Sequence, residues 1–297
     1  MQIIQRICQL LEWYNSCRAI RLWKADTFIN KFNGYKRMTV AEETPPLSQP
    51  RRCIFDEVDM KNFMESSSKI ELMNFVKSMG AACAAGSDFD PEQQLKDLPP
   101  SIACLHGSLH EMVSWVDDFP PEDATKSTTT SIRFGNPQFR LWCDRLKERC
   151  GAIITTVLRT RDCGYDDISP ELAWKRGKDA ASGLLQTVGD SSVDQVSCYL
   201  LTSFGDSARL DYGTGHETSF ILFLFILTKA KCTGDSPSIK IMRAVTISIF
   251  DQYLKVTRRL QVDYRLEPAG SHGVYVLLCC SMCWYVSLII LFYLGAV

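Results

Sequence analysis

The sequence predicts an all-α protein, and three observations support this fold class. Apolar residues recur with helical period in several segments after residue 58. Strand-type alternation with hairpin turns is largely missing. A run of eight apolar residues, 220–227, is bounded by helix start and stop signals. The chain has 297 residues, 46% of them hydrophobic, which is enough for a large core.

Charge and cysteine usage exclude two classes of protein. The 33 Lys and Arg residues balance 34 Asp and Glu residues, so the chain lacks the basic surface that nucleic-acid binding requires, and no nucleic-acid partner is expected. The 13 cysteines are mostly scattered singly, and Arg6 interrupts the first apolar residues, unlike a secretory signal. We therefore expect reduced thiols and a cytoplasmic protein, not a secreted disulfide scaffold.

The first 48 residues read as an extension that precedes the main domain. Apolar residues at 3, 7, 10, 11 and 14 suit an amphipathic helix, either on a protein surface or on a membrane surface. Pro45, Pro46 and Pro50 then indicate a linker, because prolines this dense cannot continue a helix. We place the domain boundaries at 1–48 (extension), 49–275 (helical domain) and 276–297 (apolar tail).

The first helices of the domain follow from periodicity and capping signals. Helices are predicted over Asp59–Gly80 and Ile102–Val116. Asn136 is expected to cap a third helix with Pro137 at its first position. Its predicted buried residues are Leu141, Trp142, Leu146, Cys150, Ile153 and Ile154. Residues 161–179 contain two glycines and a proline and are predicted to be a loop or insertion.

The next segment, 209–234, is predicted to hold the central buried helix. The eight apolar residues leave no polar face, and Lys229, Lys231 and Gly234 match a helix end. Thr214 and Glu217 have the spacing of a capping box at its start. A last helix is predicted over Ile239–Asp263. Its inward residues are Ile249, Phe250, Tyr253, Val256 and Leu260.

The residues just before the central helix could bind phosphate and a cation. Glycines at 213 and 215 allow close backbone approach, and the free N–H groups of a helix start attract phosphate. Asp211 and Glu217 could hold Mg²⁺ beside those phosphates. In the alternative interpretation, Glu217 only closes the capping box, Asp211 pairs with Arg209, and His216 is a satisfied core histidine.

Two other loops carry candidate binding residues. Arg133 stands before the helix that Asn136 opens, where a guanidinium suits a phosphate or carboxylate; the alternative is a plain loop followed by a cap. The loop 264–273 is rich in Gly, Pro, charged and aromatic residues, and it either lines a cleft or only turns the chain.

The end of the chain is a membrane-span candidate by composition. Residues 274–297 hold no charged residue, and these 24 residues exceed the ~20 that cross a bilayer as a helix. Arg258, Arg259 and Arg265 precede this tail and nothing basic follows it, which predicts a cytosolic flank.

Three segments together resemble the signature segments of the phosphotyrosyl phosphatase activator family, the activators of serine/threonine protein phosphatase 2A. They are Arg-Phe-Gly-Asn-Pro-Gln-Phe-Arg-Leu-Trp at 133–142, Arg-Leu-Asp-Tyr-Gly-Thr-Gly-His-Glu at 209–217 and Tyr-Arg-Leu-Glu-Pro-Ala-Gly-Ser-His-Gly-Val at 264–274. Residues 58–63 and 115–121 also resemble family landmarks.

The resemblance implies a helical core and lid around a cleft, with ATP and Mg²⁺ as cofactors. It also implies peptidyl-prolyl cis-trans isomerase activity on a prolyl peptide, and binding to the phosphatase 2A catalytic subunit, with or without the scaffold subunit. Isomerisation needs no nucleophile, since a cleft that prefers the twisted amide lowers the ~18–20 kcal/mol rotation barrier.

The family's functional residues carry over to matching positions of this sequence. The resemblance implies magnesium-side carboxylates at Asp211 and Glu217, and catalytic roles for Asp211, Tyr212 and Glu267. It implies a further cleft residue at Gly270. The implied nucleotide-binding residues are Arg133, Gly213, Thr214, Gly215 and His216.

The sequence departs from the family pattern after Val274. The family continues there with Trp-Gly-Leu-Asp-Asp, whereas Tyr275 begins the apolar tail. We expect the domain to be cut short here, with a tail that is either translated non-coding sequence or a genuine membrane anchor. The corresponding functional alternatives are an ATP- and Mg²⁺-dependent activator in the cytoplasm and nucleus, and a non-enzymatic, tail-anchored helical interaction protein.

Overall fold

The predicted all-α class is confirmed by the structure, a computed structural model. It describes residues 54–84, 96–122, 135–162, 168–185 and 191–269. Within these ranges the chain is mostly helical, with two strands of two residues each. The helices are α1 (Glu57–Glu65), α2 (Ser67–Ala84), α3 (Pro100–Asp118), α4 (Phe139–Asp162), α5 (Pro170–Ser182), α6 (Ser191–Leu201), α7 (Thr214–Lys229), α8 (Ile239–Ala244) and α9 (Phe250–Asp263). The strands are β1 (Asp211–Tyr212) and β2 (Glu267–Pro268).

The predicted helix 59–80 is two helices, α1 and α2, that meet at Ser66. The backbone of Ser66 is extended, with ψ 151°, so it cannot belong to either helix. Its hydroxyl donates to the Phe63 carbonyl at 2.7 Å and accepts from the Lys69 amide at 3.2 Å. The prediction of a single helix was therefore wrong, because a serine hydroxyl satisfies backbone groups on both sides of a break.

The prediction of a loop at 161–179 was also wrong, since most of it is helical. α4 continues to Asp162, and α5 begins after Ser169, whose hydroxyl accepts from the Leu172 amide at 3.2 Å. Pro170 occupies the first helical position, and Gly183 ends the helix in the left-handed region with φ 86°. These are ordinary start and stop signals, and they outweigh the internal Gly177.

Gly177 lets α5 pack very closely on α3, the predicted and confirmed helix around 102–116. A Cβ added at Gly177 would lie 1.8 Å from the Cys104 carbonyl oxygen, and one at Gly107 would lie 2.0 Å from the Trp174 carbonyl oxygen. The Ser108 hydroxyl also donates to the Gly177 carbonyl at 2.9 Å. The absence of a side chain at both glycines therefore allows α3 and α5 to pack with their backbones in contact.

The helix that Asn136 was expected to open begins three residues after it. The Asn136 side chain accepts from the Gln138 amide at 3.1 Å, but Pro137 and Gln138 form a turn, and α4 starts at Phe139. The predicted buried residues are confirmed from Trp142 to Ile154. Leu141 was wrongly included: it is 46% exposed, because Trp142 takes the inward position.

The prediction that α7 is the central buried helix is confirmed. Its buried apolar side chains are Phe220, Leu222, Phe223, Leu224 and Leu227. The predicted capping box is wrong. The N-cap is Gly213, no side chain caps the helix, and Thr214 already lies inside it.

The predicted last helix, 239–263, is helical throughout but not uniform. A π-helical turn, Val245–Ile249, joins α8 to α9. All five predicted inward residues, from Ile249 to Leu260, are buried. α8 packs on α2, and α9 packs on α3.

Two short strands were not predicted. β1 and β2 pair in parallel, with the Glu267 amide donating to the Leu210 carbonyl at 2.9 Å and the Ala269 amide donating to the Tyr212 carbonyl at 2.8 Å. They join chain segments more than 50 residues apart, which no local pattern reveals.

Several predictions fall outside the described residues. They concern the extension and linker before residue 54, Arg133, Gly270 and the tail 274–297. In the described part of the chain, no helix combines the length and the hydropathy that crossing a bilayer requires.

Candidate functional site

Three sequence segments singled out above meet at the two strands. β1 and β2 join the segments 205–213 and 264–269, which we call the platform. The backbone amide of Asn136, three residues before α4, donates to the Tyr264 carbonyl at 2.6 Å, so the segment that leads into α4 is joined to the platform. A Cβ at Gly135 would lie 2.5 Å from the Leu210 Cβ, which shows how closely these loops pack. Residues far apart in sequence therefore form one surface.

The platform contains an unusual share of left-handed backbone. Leu210 and Arg265 have φ of 56° and 51°, and Gly205 has φ of 116°. For a residue with a Cβ, this conformation costs about 1–2 kcal/mol. Such strain persists only where surrounding contacts hold it, and it concentrates at functional sites.

Asp206 organises the turn that leads into β1. Its Oδ1 accepts from the amides of Ala208 at 2.8 Å and Arg209 at 3.1 Å, and its own amide donates to the Asp211 carbonyl at 3.0 Å. The sequence interpretation missed this residue. The signal for this turn was a glycine followed by an aspartate, because an aspartate side chain accepts hydrogen bonds from the backbone two residues further along.

Asp211 lies in an ion pair at the edge of the platform. The Arg209 Nε is 2.8 Å from Asp211 Oδ2, and the His216 Nε2 is 3.9 Å from Oδ1. The Asp211 side chain is 14% exposed. The predicted alternative, that Asp211 pairs with Arg209, is confirmed by this geometry.

His216 connects β1 to the end of α6. Its Nδ1 is 2.7 Å from the Thr202 carbonyl oxygen, which can only accept, so Nδ1 carries the proton. Its ring stacks on Tyr212, with centroids 5.5 Å apart. The imidazole is therefore satisfied by protein groups and turns Nε2 toward Asp211.

Tyr212 points away from Asp211 and into the core, where it is 1% exposed. The Tyr253 hydroxyl donates to the Ser203 carbonyl at 2.7 Å. Since that proton is used, the Tyr212 hydroxyl donates to Tyr253 across 2.8 Å. Glu217 is 2% exposed, with its Oε1 3.5 Å from the Tyr212 hydroxyl. Tyr253 was predicted as a core residue, but its hydroxyl partner was missed.

The glycine before α7 serves the strand pairing. A Cβ at Gly213 would lie 2.5 Å from the Ala269 carbonyl oxygen. Gly213 and Gly215 are buried, and Thr214 is half-buried. Glu267, on β2, is half-buried beside the exposed Pro268. The structure thus brings together all the predicted site residues between 211 and 217, together with Glu267.

The two predicted magnesium carboxylates have different surroundings. The Asp211 side chain lies at the platform edge, whereas the Glu217 side chain lies in the core with Tyr212. Among the described residues, no three His, Cys, Asp or Glu side chains are grouped to hold a metal. Mg²⁺ commonly uses one or two carboxylates with phosphates and water. Asp211 fits that pattern as a single ligand; the buried Glu217 does not fit a hydrated cation.

Two relatives of this chain share one name, that of an activator of serine/threonine-protein phosphatase 2A. It is 32% identical over 229 residues to "Serine/threonine-protein phosphatase 2A activator 2" of Yarrowia lipolytica, covering 77% of this chain and 52% of the relative. It is 31% identical over 241 residues to the protein of the same name in Neurospora crassa, covering 78% of this chain and 45% of the relative. The chain thus spans about half the length of these relatives.

A solved structure and a family profile also match. The solved structure is described as the crystal structure of the PP2A phosphatase activator Ypa1 PTPA1, with 25% identity, a TM-score of 0.48, and coverage of 75% of this chain and 59% of that one. The family profile described as "Phosphotyrosyl phosphate activator (PTPA) protein" matches residues 50–279, which is more than half of the chain. This chain belongs to the phosphotyrosyl phosphatase activator family.

Proposed function

We propose that this chain binds serine/threonine protein phosphatase 2A and promotes its active form. The proposal rests on one observation: the family segment 209–217 is joined through β1 and β2 to the family segment that begins at Tyr264. Two segments that define the family by sequence thus share one surface. Relatives more than 30% identical are named as activators of this phosphatase.

We also propose that the activity depends on ATP and Mg²⁺. Bound nucleotide and cation would supply phosphate charge and a hard Lewis acid at the platform. The first amides of α7, which no side chain caps, attract phosphate, and Asp211, partly exposed and paired with Arg209, offers one carboxylate beside them. Glu217 acts from the core, where it lies against Tyr212 and supports β1.

A prolyl peptide is the substrate that we propose for the isomerase activity. Glu267 is a predicted catalytic residue that a peptide could reach, since it is half-buried on β2, whereas the half-buried Asp211 is paired with Arg209. The Tyr212 hydroxyl faces the core, so Tyr212 acts by positioning β1. No nucleophile is required, because preferential binding of the twisted amide lowers the barrier.

Reactivation of purified, inactive phosphatase 2A tests the activator proposal. We expect the chain to restore phosphatase activity with ATP and Mg²⁺ together, and not with either alone. Asp211→Asn should reduce the reactivation rate about tenfold, the loss typical of one important ligand contact. Asp235→Asn is the matched control, because Asp235 is also ion-paired, to Lys231 at 2.6 Å, but lies after α7.

The outcomes separate the parts of the proposal. A wild-type chain that neither binds nor reactivates the phosphatase would overturn the activator function. Full reactivation by Asp211→Asn would exclude Asp211 as the magnesium-side residue. A prolyl-peptide isomerisation assay, run with Glu267→Gln, decides the enzymatic part: equal rates with and without the chain would exclude it.

A further inference from the structure

Arg265 of the platform and the neighbouring Arg140 are exposed, and neither has an acidic partner among the described residues. Arg140 lies in the first turn of α4, and its Nε donates to the Ser207 carbonyl at 3.1 Å. Arg265 lies between α9 and β2. In the part of the chain that the structure describes, no carboxylate pairs with either guanidinium.

The two arginines extend from neighbouring points of the same contact. Phe139 and Tyr264, the residues that precede them, have ring centroids 5.8 Å apart. The backbone amide of Asn136 donates to the Tyr264 carbonyl at 2.6 Å, which fixes the two segments against each other. The contact between the buried rings thus places both arginines, each one residue further along its segment, at the same junction of the fold.

Other arginines near this contact are neutralised. Arg209 pairs with Asp211 at 2.8 Å and with Asp206 at 3.5 Å. Arg145 pairs with Asp118, and Arg259 pairs with Asp117 and Asp263. These three arginines are used within the fold. Arg140 and Arg265 remain available to an external anion.

The backbone at Arg265 is also unfavourable for an arginine. Its φ of 51° is the conformation that glycine adopts most easily at a helix end. Lys231, at the end of α7, is held in the same way with φ 63°. Lys231 pairs with Asp235 at 2.6 Å, whereas Arg265 has no such partner within the described ranges. Lys231 is therefore a matched comparison in backbone geometry and charge.

We propose that Arg140 and Arg265 form an anion-recognition pair that binds an acidic segment of the protein partner. Guanidinium groups bind carboxylates in a fixed, bidentate geometry. Both side chains are exposed and extend from different elements, which suits an extended acidic segment rather than a small ligand in a cavity. The identity of the partner rests on the proposed function; the recognition of carboxylates does not.

The test uses a fluorescein-labelled peptide of ten glutamates, with binding followed by anisotropy at 25 and 150 mM NaCl. Arg140→Gln and Arg265→Gln should each weaken binding about threefold to fivefold, and the double variant at least about tenfold, as expected for exposed charge pairs. Lys231→Gln should bind like the wild type. The salt dependence of binding should be shallower in the double variant, since fewer charges are paired. Circular dichroism melts of each variant verify that it is folded.

Three results would overturn the inference: no binding of the peptide by the wild type, equal binding by the double variant, or an equal loss in Lys231→Gln. A further arm adds ATP as competitor. If ATP displaces the peptide and the double variant loses ATP binding, the anion is the nucleotide and the peptide assignment fails. Binding of the phosphatase catalytic subunit is measured with the same variants. If the wild type does not bind the phosphatase, the proposed function fails, while the peptide result still decides the arginine pair.

Discussion

The hydroxyl oxygens of Tyr212 and Tyr253 lie 2.8 Å apart, in a part of the core where neither side chain is more than 1% exposed. This contact joins β1 to α9, and the Tyr253 hydroxyl also donates a hydrogen bond to the carbonyl of Ser203, which follows α6. The Tyr253 ring also stacks on Phe220 of α7, with centroids 3.9 Å apart. One tyrosine therefore holds three elements beneath the platform.

Tyr253→Phe should destabilise the protein by about 1–2 kcal/mol. The substitution keeps the ring, but it removes the donor to the buried Ser203 carbonyl and the 2.8 Å contact with the Tyr212 hydroxyl, which keeps the longer contact with Glu217 at 3.5 Å. The measurement is the free energy of unfolding from urea titration monitored by tryptophan fluorescence.

A double-mutant cycle isolates the contact between the two hydroxyls. Tyr212→Phe, Tyr253→Phe and the double variant should show a coupling of about 0.5–1.5 kcal/mol, as for residues in one hydrogen-bond network. Additive effects of the two substitutions would contradict the hydrogen bond.

Gly177→Ala should be strongly destabilising, by about 3 kcal/mol, even though alanine favours helices. The new Cβ would lie 1.8 Å from the Cys104 carbonyl oxygen, so α5 would have to move away from α3. The measurement is again urea unfolding. Lys175→Ala, an exposed site on the same helix, is the control and should change the stability by less than about 0.5 kcal/mol. A Gly177→Ala variant as stable as the wild type would show that the two helices do not pack this closely.

Helices with a strong apolar pattern could be predicted from the sequence. The eight-residue apolar run predicted α7, and the apolar residues spaced from Ile249 to Leu260 predicted the inward face of the last helix. α5 was missed because its buried positions are small residues, Ala173, Gly177, Ala180 and Ala181, which give little hydrophobic period. Its N-cap serine and C-terminal glycine were the better signals.

The site could be predicted in part. The segment around Asp211 was identified, and the structure joins it to Glu267. The strand pairing could not be predicted, because the hydrogen bonds link residues more than 50 positions apart and each strand has only two residues. The partners of Tyr212 and Glu217 were missed for the same reason: the Tyr212 hydroxyl meets Tyr253 only after the helices have packed.

Arg265→Gly should stabilise the protein by about 1 kcal/mol, because glycine adopts φ 51° without a Cβ clash. Lys231→Gly should give a similar gain from its φ of 63°, less the small contribution of its exposed ion pair with Asp235. Thermal unfolding followed by circular dichroism measures both. Only Arg265→Gly should also weaken binding of the glutamate peptide. A loss of stability in both variants would contradict the left-handed conformations.

A buried histidine should make the stability depend on pH. Trp174 Nε1 of α5 donates to His106 Nδ1 of α3 at 3.2 Å, so this nitrogen must be unprotonated. Burial, with smaller effects from His110 and Lys255 and an opposing one from Asp251, lowers the pKa of His106 from its ordinary 6.5 to about 4. Desolvation also lowers the pKa of the neighbouring His110, with smaller lowering effects from Lys178 and Lys255 and a raising one from Glu111. Protonation of His106 would break the link between α3 and α5.

The direction of this pH dependence follows from the protons that the folded and unfolded chains bind. The unfolded chain takes up the His106 proton below pH 6.5 and the folded chain only near pH 4, so this contribution to stability is complete above pH 6.5 and is lost as the pH falls from 6.5 to about 4. The loss should reach about 3 kcal/mol. His106→Gln, which keeps an acceptor for the indole N–H, should remove this part of the pH dependence, as measured by urea unfolding between pH 4 and 8. Carboxylates also titrate at the acid end, so the difference between wild type and variant is the quantity to compare; a difference that does not change with pH would contradict the buried, neutral imidazole.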